Sequence, residues 1–270
     1  MAVPSETLQA IAEEVIATRG AGVQILPFTA RHPSFDLADA YRVVEATRRR
    51  REDAGERIVG RKIGFTNRAA WEGYGIAGPI WNYLYDRTTS DLGRDDSVPV
   101  GGWMNLRMET EVALGLCAAP SPDMDERQLI ECVAWAALDF EICSSVFPDW
   151  RFDVADAAAT GVHVALLIGP RQPVADDRQG WLQRLSRFTA TLACDDGISA
   201  QGGGAQVLGS PLAALAALLG ELERYGGEAP RAGDIVTTGT LTTALPARPG
   251  QVWRAEARGI ALGGISVRLA

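Results

Sequence analysis

From residue 55 onward the chain breaks into short apolar runs, and this pattern constrains the fold more than any other feature of the sequence. The runs are bounded by glycine, proline or asparagine, residues that end regular structure and favour turns. Apolar runs of this length between turn residues predict β-strands. The predicted strands span residues 58–65, 81–85, 106–116, 138–147, 162–168, 189–194, 235–238, 252–256 and 265–269. The body of the protein is therefore expected to be rich in β-structure.

Two helices are predicted before this body. The first covers residues 5–19 with Ser5 as its cap, and the second covers residues 36–54, where apolar residues recur at helical spacing. Residues 27–33 begin and end with proline and are expected to form a loop between the two helices.

Two further helices are predicted within the body, over residues 125–137 and 211–225. The second has clear end signals, because Ser210 can cap it, Pro211 suits its first turn and Gly226 can end it. The fold class is therefore α+β, with a mixed or antiparallel sheet.

No internal repeat or low-complexity linker divides the chain. With 270 residues, 47% of them hydrophobic, it can bury a sizeable core as one compact unit. Within that unit we expect an N-terminal helical extension over residues 1–55 and a β-rich catalytic body over residues 56–270.

Composition limits the partners of the protein. The net charge is −8, and the basic run Arg48–Arg51 is followed at once by acids, so nucleic-acid binding is disfavoured. No apolar run approaches the roughly 20 residues that span a membrane, and the N-terminus has acids where a signal peptide has basic residues. We therefore expect a cytoplasmic protein that does not bind membranes.

Familiar catalytic patterns are absent from the sequence, which has no GxSxG, Walker, GxGxxG or HExxH segment. Only two histidines occur. His163 lies in an apolar run and is expected to face the core or a subunit contact, and His32 lies isolated in the predicted loop.

Three glutamates indicate a metal site instead. Glu109 and Glu111 are two residues apart in a predicted strand, so their carboxylates share one face, which could simply be solvated. Glu141 favours a metal site over a solvated face, because it lies in an apolar run and a buried carboxylate needs a partner or a cation. We expect no cysteine or histidine beside these acids, and an all-oxygen site suits Mg²⁺ or Mn²⁺.

Lys62 is the only lysine among 26 basic residues. It lies in a glycine-flanked predicted strand, where apolar neighbours would desolvate it. A buried lysine can lose its proton whereas arginine cannot, so Lys62 is a candidate for proton transfer. The alternative is an exposed lysine at a strand edge.

A third group follows the predicted strand 235–238. Thr238, Gly239 and Thr240 offer hydroxyls and a backbone amide, which can bind a substrate carboxylate. Threonine-rich strand ends are common, so this pattern alone does not identify a site.

Taken together, these segments resemble the fumarylacetoacetate hydrolase superfamily, and within it the branch of 2-hydroxypenta-2,4-dienoate hydratases and 4-oxalocrotonate decarboxylases. The resemblance extends over nearly the whole chain. It is carried by residues 37–41, 60–66, 109–114, 138–145, 207–211, 232–240 and 264–267. It implies a mixed β-sheet or β-roll body of that type with N-terminal helices, and a homo-oligomer, with association to a paralogous decarboxylase or hydratase as a further option.

The resemblance also implies roles for individual residues. The family's E-x-E pair and later glutamate bind Mg²⁺ or Mn²⁺ and correspond to Glu109, Glu111 and Glu141. The proton-transferring lysine of its GxKxG segment corresponds to Lys62. Its substrate-binding threonine-glycine-threonine turn corresponds to Thr238, Gly239 and Thr240, and Thr160 is a further candidate for a substrate contact.

The chain departs from its relatives in two ways. Hydrolase members use a histidine on a lid after the glycine-rich strand, and no histidine lies between Lys62 and Glu109. Where hydratases read Pro-Asp-Phe-Gly, this chain reads Pro79-Ile80-Trp81-Asn82. The first departure argues against a hydrolase, and the second predicts a changed pocket that prefers an apolar or aromatic substrate extension.

The resemblance implies that the substrate's carboxylate and 2-oxygen chelate the metal, which stabilises an enolate, while Lys62 moves a proton. Water addition then makes the enzyme a hydratase, the reaction we favour, and loss of a carboxylate makes it a decarboxylase. Two rival interpretations are a non-catalytic protein that binds 2-oxo acids and a structural subunit of a paralogous decarboxylase.

Overall fold

The computed structural model describes residues 3–93 and 96–270. Its helices are α1 (Ser5–Thr18), α2 (Phe28–Arg31), α3 (Leu37–Asp53), α4 (Trp71–Tyr74), α5 (Glu126–Leu129), α6 (Val154–Thr160), α7 (Arg178–Arg184) and α8 (Pro211–Tyr225). Its strands are β1 (Ile58–Gly64), β2 (Ile80–Tyr85), β3 (Thr89–Asp91), β4 (Ser97–Val98), β5 (Leu106–Leu116), β6 (Val133–Ser144), β7 (His163–Ile168), β8 (Gln172–Pro173), β9 (Thr189–Cys194), β10 (Ser199–Gly203), β11 (Ile235–Thr237), β12 (Leu245–Pro246), β13 (Val252–Arg258) and β14 (Ile265–Leu269).

The larger sheet has the strand order β2-β1-β11-β5-β6-β7-β3, with β12 also paired to β5 and β8 to β6. Strand β1 runs parallel to β11 and β3 runs parallel to β7, whereas β5 is antiparallel to β11 and β6. The sheet is therefore mixed. The α+β prediction with a mixed sheet is confirmed.

The smaller sheet has the order β10-β9-β13-β14-β4. Its strands alternate buried and exposed residues, as expected when one face of a sheet covers a core and the other meets solvent. Trp253 in β13 and Leu192 in β9 are fully buried in that core.

The N-terminal helices pack on the body through apolar faces. In α3, Asp36 accepts a hydrogen bond from the Asp39 N–H and so caps the helix. Tyr41 of the same helix stacks on Trp81 of β2, with ring centroids 4.8 Å apart. Residues 1 and 2 of the predicted extension 1–55 lie outside the described residues, and its boundary with the body at residue 56 stays a prediction.

The helix predicted over residues 125–137 is wrong beyond its first turns. Helix α5 ends at Leu129, a 3₁₀ turn follows to Cys132, and β6 begins at Val133. Trp135 pairs with Gly115 of β5, and its indole occupies the space that a side chain at that glycine would need. Strand pairing therefore overrides local helix propensity here.

Smaller corrections concern helix ends and short elements. Ser5 starts α1 but makes no capping hydrogen bond, so its predicted cap is wrong. One helical turn, α2, occupies part of the predicted loop 27–33. Helices α6 and α7 were not predicted, because each has only seven residues.

Helix α8 matches its prediction in both bounds. Ser210 accepts a hydrogen bond from the Ala213 N–H, Pro211 fills the first turn, and Gly226 ends the helix with φ 73°. The stretch Gly204–Tyr225 is long and apolar enough to cross a membrane by length and composition alone. Half of the apolar 18-residue segment within it is buried inside the protein, which is also typical of the core helix of a soluble protein.

Candidate active site

Four acids meet on one face of the larger sheet. The antiparallel register of β5 and β6 places Glu109 opposite Glu141, and Glu111 opposite Asp139. Glu111 is 1% exposed, and Glu141 and Asp139 are fully buried. Like charges directly opposite each other destabilise a strand pair, so this arrangement requires positive charge nearby.

Lys62 supplies one positive charge. Its Nζ lies 2.6 Å from Glu141 Oε1 and donates to the Gly161 carbonyl at 3.1 Å. In a flat sheet, β1 and β6 would be about 14 Å apart, since β11 and β5 lie between them. The sheet must therefore curl for the two side chains to meet, and this curl creates the site.

Two further side chains contact Glu141. His163 Nδ1 lies 3.2 Å from Glu141 Oε1, and Cys143 Sγ lies 3.6 Å from the same oxygen. The expectation that no cysteine or histidine lies beside the acids is therefore wrong. Both residues share the face of Glu141, since Cys143 follows two residues later on β6 and pairs with His163 of β7.

Glu111 is held by the turn after β11. The Gly239 N–H donates to Glu111 Oε2 at 2.8 Å. Gly239 has φ 91°, and a side chain there would collide with Thr66, so only glycine fits. Gly239 thus positions a carboxylate of this protein.

The threonines predicted to contact substrate lie in different places. Thr240 lines the cavity beside Lys62, and its Oγ1 has no hydrogen-bond partner among the described residues. Thr238 is fully buried and donates to the Val112 carbonyl at 3.0 Å. Thr160 donates to the Asp156 carbonyl at 2.9 Å and faces a separate cavity. Among these threonines, only Thr240 lines the cavity with Lys62.

That cavity has a volume of about 400 Å³. Its walls combine carboxylates, two cations, aromatic and aliphatic side chains, and hydroxyls and amides. The lining residues include Lys62, Phe65, Thr66, Ile80, Arg107, Glu109, Glu111, Cys143, Trp150, Phe152, Val162, Gln201, Gln206 and Thr240.

The segment Pro79-Ile80-Trp81-Asn82 contributes one side chain to this cavity. Ile80 lines it. Trp81 instead stacks on Tyr41, and Asn82 donates to the Ala158 carbonyl at 2.9 Å. The predicted change of the pocket therefore falls on Ile80, because Trp81 points to the opposite face of β2 and the Asn82 amide is bound to the Ala158 carbonyl of α6.

The charges in the site shift one another's pKa. Burial and the charge on Glu141 raise the pKa of Glu109 to about 7. Burial, followed by the charges of Glu141 and Asp139, also raises the pKa of Glu111. Burial opposes ionisation of Glu141, but Lys62 and His163 outweigh it and lower the Glu141 pKa to about 2.

Lys62 is charged in this environment. Burial disfavours its ammonium form, but the carboxylate of Glu141, with help from Glu109 and Glu111, raises the pKa of Lys62 above its ordinary value. The desolvation of Lys62 expected from the sequence is therefore outweighed by the charge of Glu141. Lys62 and Glu141 form a buried ion pair.

The donor set fits a divalent cation. Glu111 Oε1, Glu141 Oε2 and both carboxylate oxygens of Asp139 are buried and make no hydrogen bond to any described residue. Ligand atoms of Glu109, Glu141 and Cys143 lie within 4.8 Å of one another. Burial raises the pKa of the Cys143 thiol, which therefore stays neutral, and the carboxylate oxygens suit a hard ion.

Sequence comparison identifies relatives of the chain. No protein-family model matches it. It is 30% identical over 240 residues to a 2-keto-4-pentenoate hydratase of Paraburkholderia phymatum, covering 87% of this chain and 88% of that protein.

Solved structures agree with this relationship. The 4-oxalocrotonate decarboxylase of Pseudomonas putida G7, complexed with magnesium and adipate, matches with a TM-score of 0.90 and 26% identity over 99% of both chains. The fumarylpyruvate hydrolase of Pseudomonas aeruginosa, in complex with Mn²⁺ and pyruvate, shares the fold, with a TM-score of 0.58, 18% identity, and coverage of 78% of this chain and 88% of that chain. The chain therefore belongs to the family of 2-keto-4-pentenoate hydratases and 4-oxalocrotonate decarboxylases, which are lyases with the fumarylacetoacetate hydrolase fold.

Proposed function

We propose that the protein is a metal-dependent hydratase that adds water to a 2-hydroxy-dienoic or 2-oxo-enoic acid. One observation carries the proposal: a buried lysine, Lys62, lies in the wall of the same cavity as two of the three carboxylates suited to a divalent ion. The relationship to a 2-keto-4-pentenoate hydratase supports the same reaction.

Glu109, Glu111 and Glu141 would hold Mg²⁺ or Mn²⁺. The oxygens of Glu111 and Glu141 that have no partner among the described residues, the hydrogen bond that orients Glu111, and the proximity of Glu109 to Glu141 support this role. When bound, the ion supplies a Lewis acid that stabilises negative charge as it develops on the substrate's 2-oxygen.

Lys62 would transfer a proton to or from the carbon chain of the substrate. Its contacts with Glu141 and the Gly161 carbonyl fix Nζ in one position, as a general acid or base requires. Thr240 would bind the substrate carboxylate through its free hydroxyl, and Gly239 would orient Glu111. For Thr160 and Thr238 we propose only structural roles, since each donates to a backbone carbonyl.

A second candidate reaction is decarboxylation of a 2-oxo acid of the 4-oxalocrotonate type. The TM-score of 0.90 to a 4-oxalocrotonate decarboxylase favours it. Both reactions need the same acids and lysine, and they differ in whether water is gained or CO₂ is lost.

The test is an assay with metal-loaded protein. With 2-hydroxypenta-2,4-dienoate or a substituted analogue, we expect the ultraviolet absorbance of the dienol to fade as a 4-hydroxy-2-oxo acid forms. A parallel assay with 2-oxohex-3-enedioate and CO₂ detection identifies a decarboxylase. Metal-dependent binding of oxalate without either reaction would favour the non-catalytic binding protein.

We also propose a cytoplasmic location and a homo-oligomeric state. Membership of the hydratase and decarboxylase family supports the location. Size-exclusion chromatography with light scattering tests the oligomer, and co-purification of a paralogous chain would reveal a mixed assembly.

A further inference from the structure

A second cavity lies between helices α1 and α3 and strands β2 and β7, and we call it the arginine cavity. It shares the wall residue Val162 with the cavity of Lys62. The next residue, His163, contacts Glu141 through Nδ1 but lines only the arginine cavity. The polar side chains that line it include Arg19, Thr47, Arg51 and His163.

Three buried polar atoms of these lining residues make no hydrogen bond to any described residue. They are Arg19 Nη2, Thr47 Oγ1 and His163 Nε2. A buried polar group without a partner costs about 1–3 kcal/mol, and more if it is charged. Because a guanidinium can only donate and a hydroxyl can donate, this cavity suits a ligand that offers acceptor oxygens.

Thr47 lies in the middle of α3 and is 9% exposed. A threonine in a helix commonly donates to the carbonyl four residues earlier, which here belongs to Val43. Thr47 makes no such bond. Arg51 lies one turn further along α3, so the hydroxyl and this second guanidinium share one face of the helix.

Arg19 carries a charge that no acid neutralises directly. Burial, followed by the charge of Arg51, lowers the pKa of Arg19 to about 10, so it stays protonated at neutral pH. Glu56 opposes this shift from a distance, but it pairs with Arg51 at 2.6 Å. Within residues 3–93 and 96–270, Arg19 forms no ion pair. Two guanidiniums thus share one carboxylate, and one positive charge is left over.

The apolar part of the wall strengthens the demand for a counter-ion. Val15, Val44 and Val146 also line the cavity. A charge among apolar side chains is poorly solvated, so an anion bound there gains more than it would at the surface.

The size of the cavity limits what can bind. Its volume is about 50 Å³, counted as the space open to the centres of water molecules. By that measure one water needs about 10–15 Å³, so the cavity accepts about three to five non-hydrogen atoms. Formate, acetate and bicarbonate are of this size, whereas a 2-hydroxy-dienoic acid is too large.

We propose that the arginine cavity binds a small planar oxyanion, either bicarbonate or a carboxylate of one or two carbon atoms, at Arg19, Thr47 and His163. Arginine binds a planar oxyanion through two parallel hydrogen bonds. Three unpartnered groups match the three oxygens of bicarbonate, which we therefore expect to bind most tightly. The cavity is separate from that of Lys62, so the inference does not depend on the proposed function.

The test is urea unfolding of the full chain at pH 8, with a chelator present and with increasing bicarbonate, acetate or formate. Ionic strength is held constant with a sulfonate salt whose anion is too large for the cavity. Ligands this small bind with dissociation constants of about 0.1–1 mM at best. We expect a value near 1 mM, so that about 10 mM bicarbonate raises the equilibrium constant for folding about tenfold.

The two sources of the oxyanion are separated by their relative affinity. Bicarbonate and acetate have equal numbers of non-hydrogen atoms but differ in a hydroxyl or methyl group. Tighter binding of bicarbonate assigns the site to bicarbonate, and the reverse order assigns it to a small carboxylic acid. Either order supports the site.

Variants assign the response to the arginine cavity. Arg19→Met should abolish it and should be at least as stable as the unmodified protein without the anion, because an uncompensated buried charge is removed. Thr47→Val keeps the shape of the side chain and should weaken binding about tenfold. Arg107→Met is the control, because Arg107 lines the cavity of Lys62, and it should keep the full response.

Four results would overturn the inference. No response in the unmodified protein shows that water alone solvates these groups. An equal response to chloride shows that no planar oxyanion is recognised. A response that survives in Arg19→Met and Thr47→Val, or that is lost in Arg107→Met, places the anion elsewhere. A smaller oligomer of Arg19→Met in size-exclusion chromatography shows that an acid of a second copy pairs with Arg19.

Discussion

The buried ion pair of Lys62 and Glu141 yields a prediction whose size can be calculated. The side chains are 9% and 1% exposed, with 2.6 Å between the charged atoms. Lys62→Met removes the positive charge and leaves Glu141 buried without a counter-ion. Breaking a buried pair in this way costs about 3–5 kcal/mol.

Protonation of Glu141 sets an upper limit on this loss. Taking up a proton at pH 7 from an ordinary pKa of 4.5 costs about 3.4 kcal/mol, at about 1.36 kcal/mol per pH unit. In the metal-free protein we therefore expect Lys62→Met to lose about 3 kcal/mol of unfolding free energy at pH 7, about 2 at pH 6, and under about 1 at pH 5.

The stability loss in Lys62→Met shrinks as the pH falls because the pKa of Glu141 is lowered in the folded protein. Lys62 helps to lower the Glu141 pKa to about 2, so in the unmodified protein this stabilisation is present above the unfolded pKa and is lost as the pH falls through the folded one. The variant lacks that stabilisation, so the unfolding free energies of the two proteins converge as the pH falls toward 4.5. Saturating Mg²⁺ supplies a new counter-ion and should reduce the difference at pH 7.

The assay is urea unfolding with a chelator present, repeated from pH 5 to pH 8 and then with Mg²⁺. Arg51→Met is a matched control, because Arg51 is buried and pairs with half-buried Glu56, with 2.6 Å between the charged atoms, but the pair lies outside the cavity of Lys62. Its loss should not be restored by Mg²⁺. A pH-independent loss in Lys62→Met, or no loss at all, would refute the reasoning.

The other predictions concern activity and metal affinity. Lys62→Arg keeps the charge but should lower turnover by about 10²-fold or more in a variant that circular dichroism shows to be folded, and near-normal turnover would exclude proton transfer by Lys62. Because the Glu109 pKa is raised to about 7, Mg²⁺ must displace a proton at lower pH. Its affinity, measured by calorimetry, should therefore rise about tenfold or more per pH unit up to about pH 7, since the pKa of Glu111 is raised as well, and a flat profile from pH 5 to pH 7 would contradict the shift. Thr240→Val should raise the substrate KM with little loss of stability, whereas Thr238→Val should lower the melting temperature and leave KM unchanged. If Thr240→Val instead lowers the melting temperature and Thr238→Val raises KM, then Thr238 contacts the substrate and Thr240 has the structural role.

Sequence periodicity predicted those parts of the fold that depend on local pattern. The bounds of β5 at Leu106–Leu116 and of α8 at Pro211–Tyr225 follow from alternation and capping residues, and both are as predicted. The shared face of Glu109 and Glu111 follows from the same alternation. The start of β6 at Val133 could not be found in this way, because it depends on pairing with β5 and β8.

Side chains that meet through the curl of the sheet were harder to predict. The contact of Lys62 with Glu141 crosses two intervening strands, and no spacing in the sequence encodes it. The contact of His163 with Glu141 depends on the register between β6 and β7.

Titration of Mg²⁺ into chelator-treated protein is the decisive test of the proposed metal site. We expect one ion per chain, bound by the unmodified protein and lost in Glu109→Gln and Glu141→Gln, with circular dichroism confirming that both variants are folded. Unchanged Mg²⁺ affinity in folded variants, or no binding to the unmodified protein, would show that these glutamates do not hold the ion.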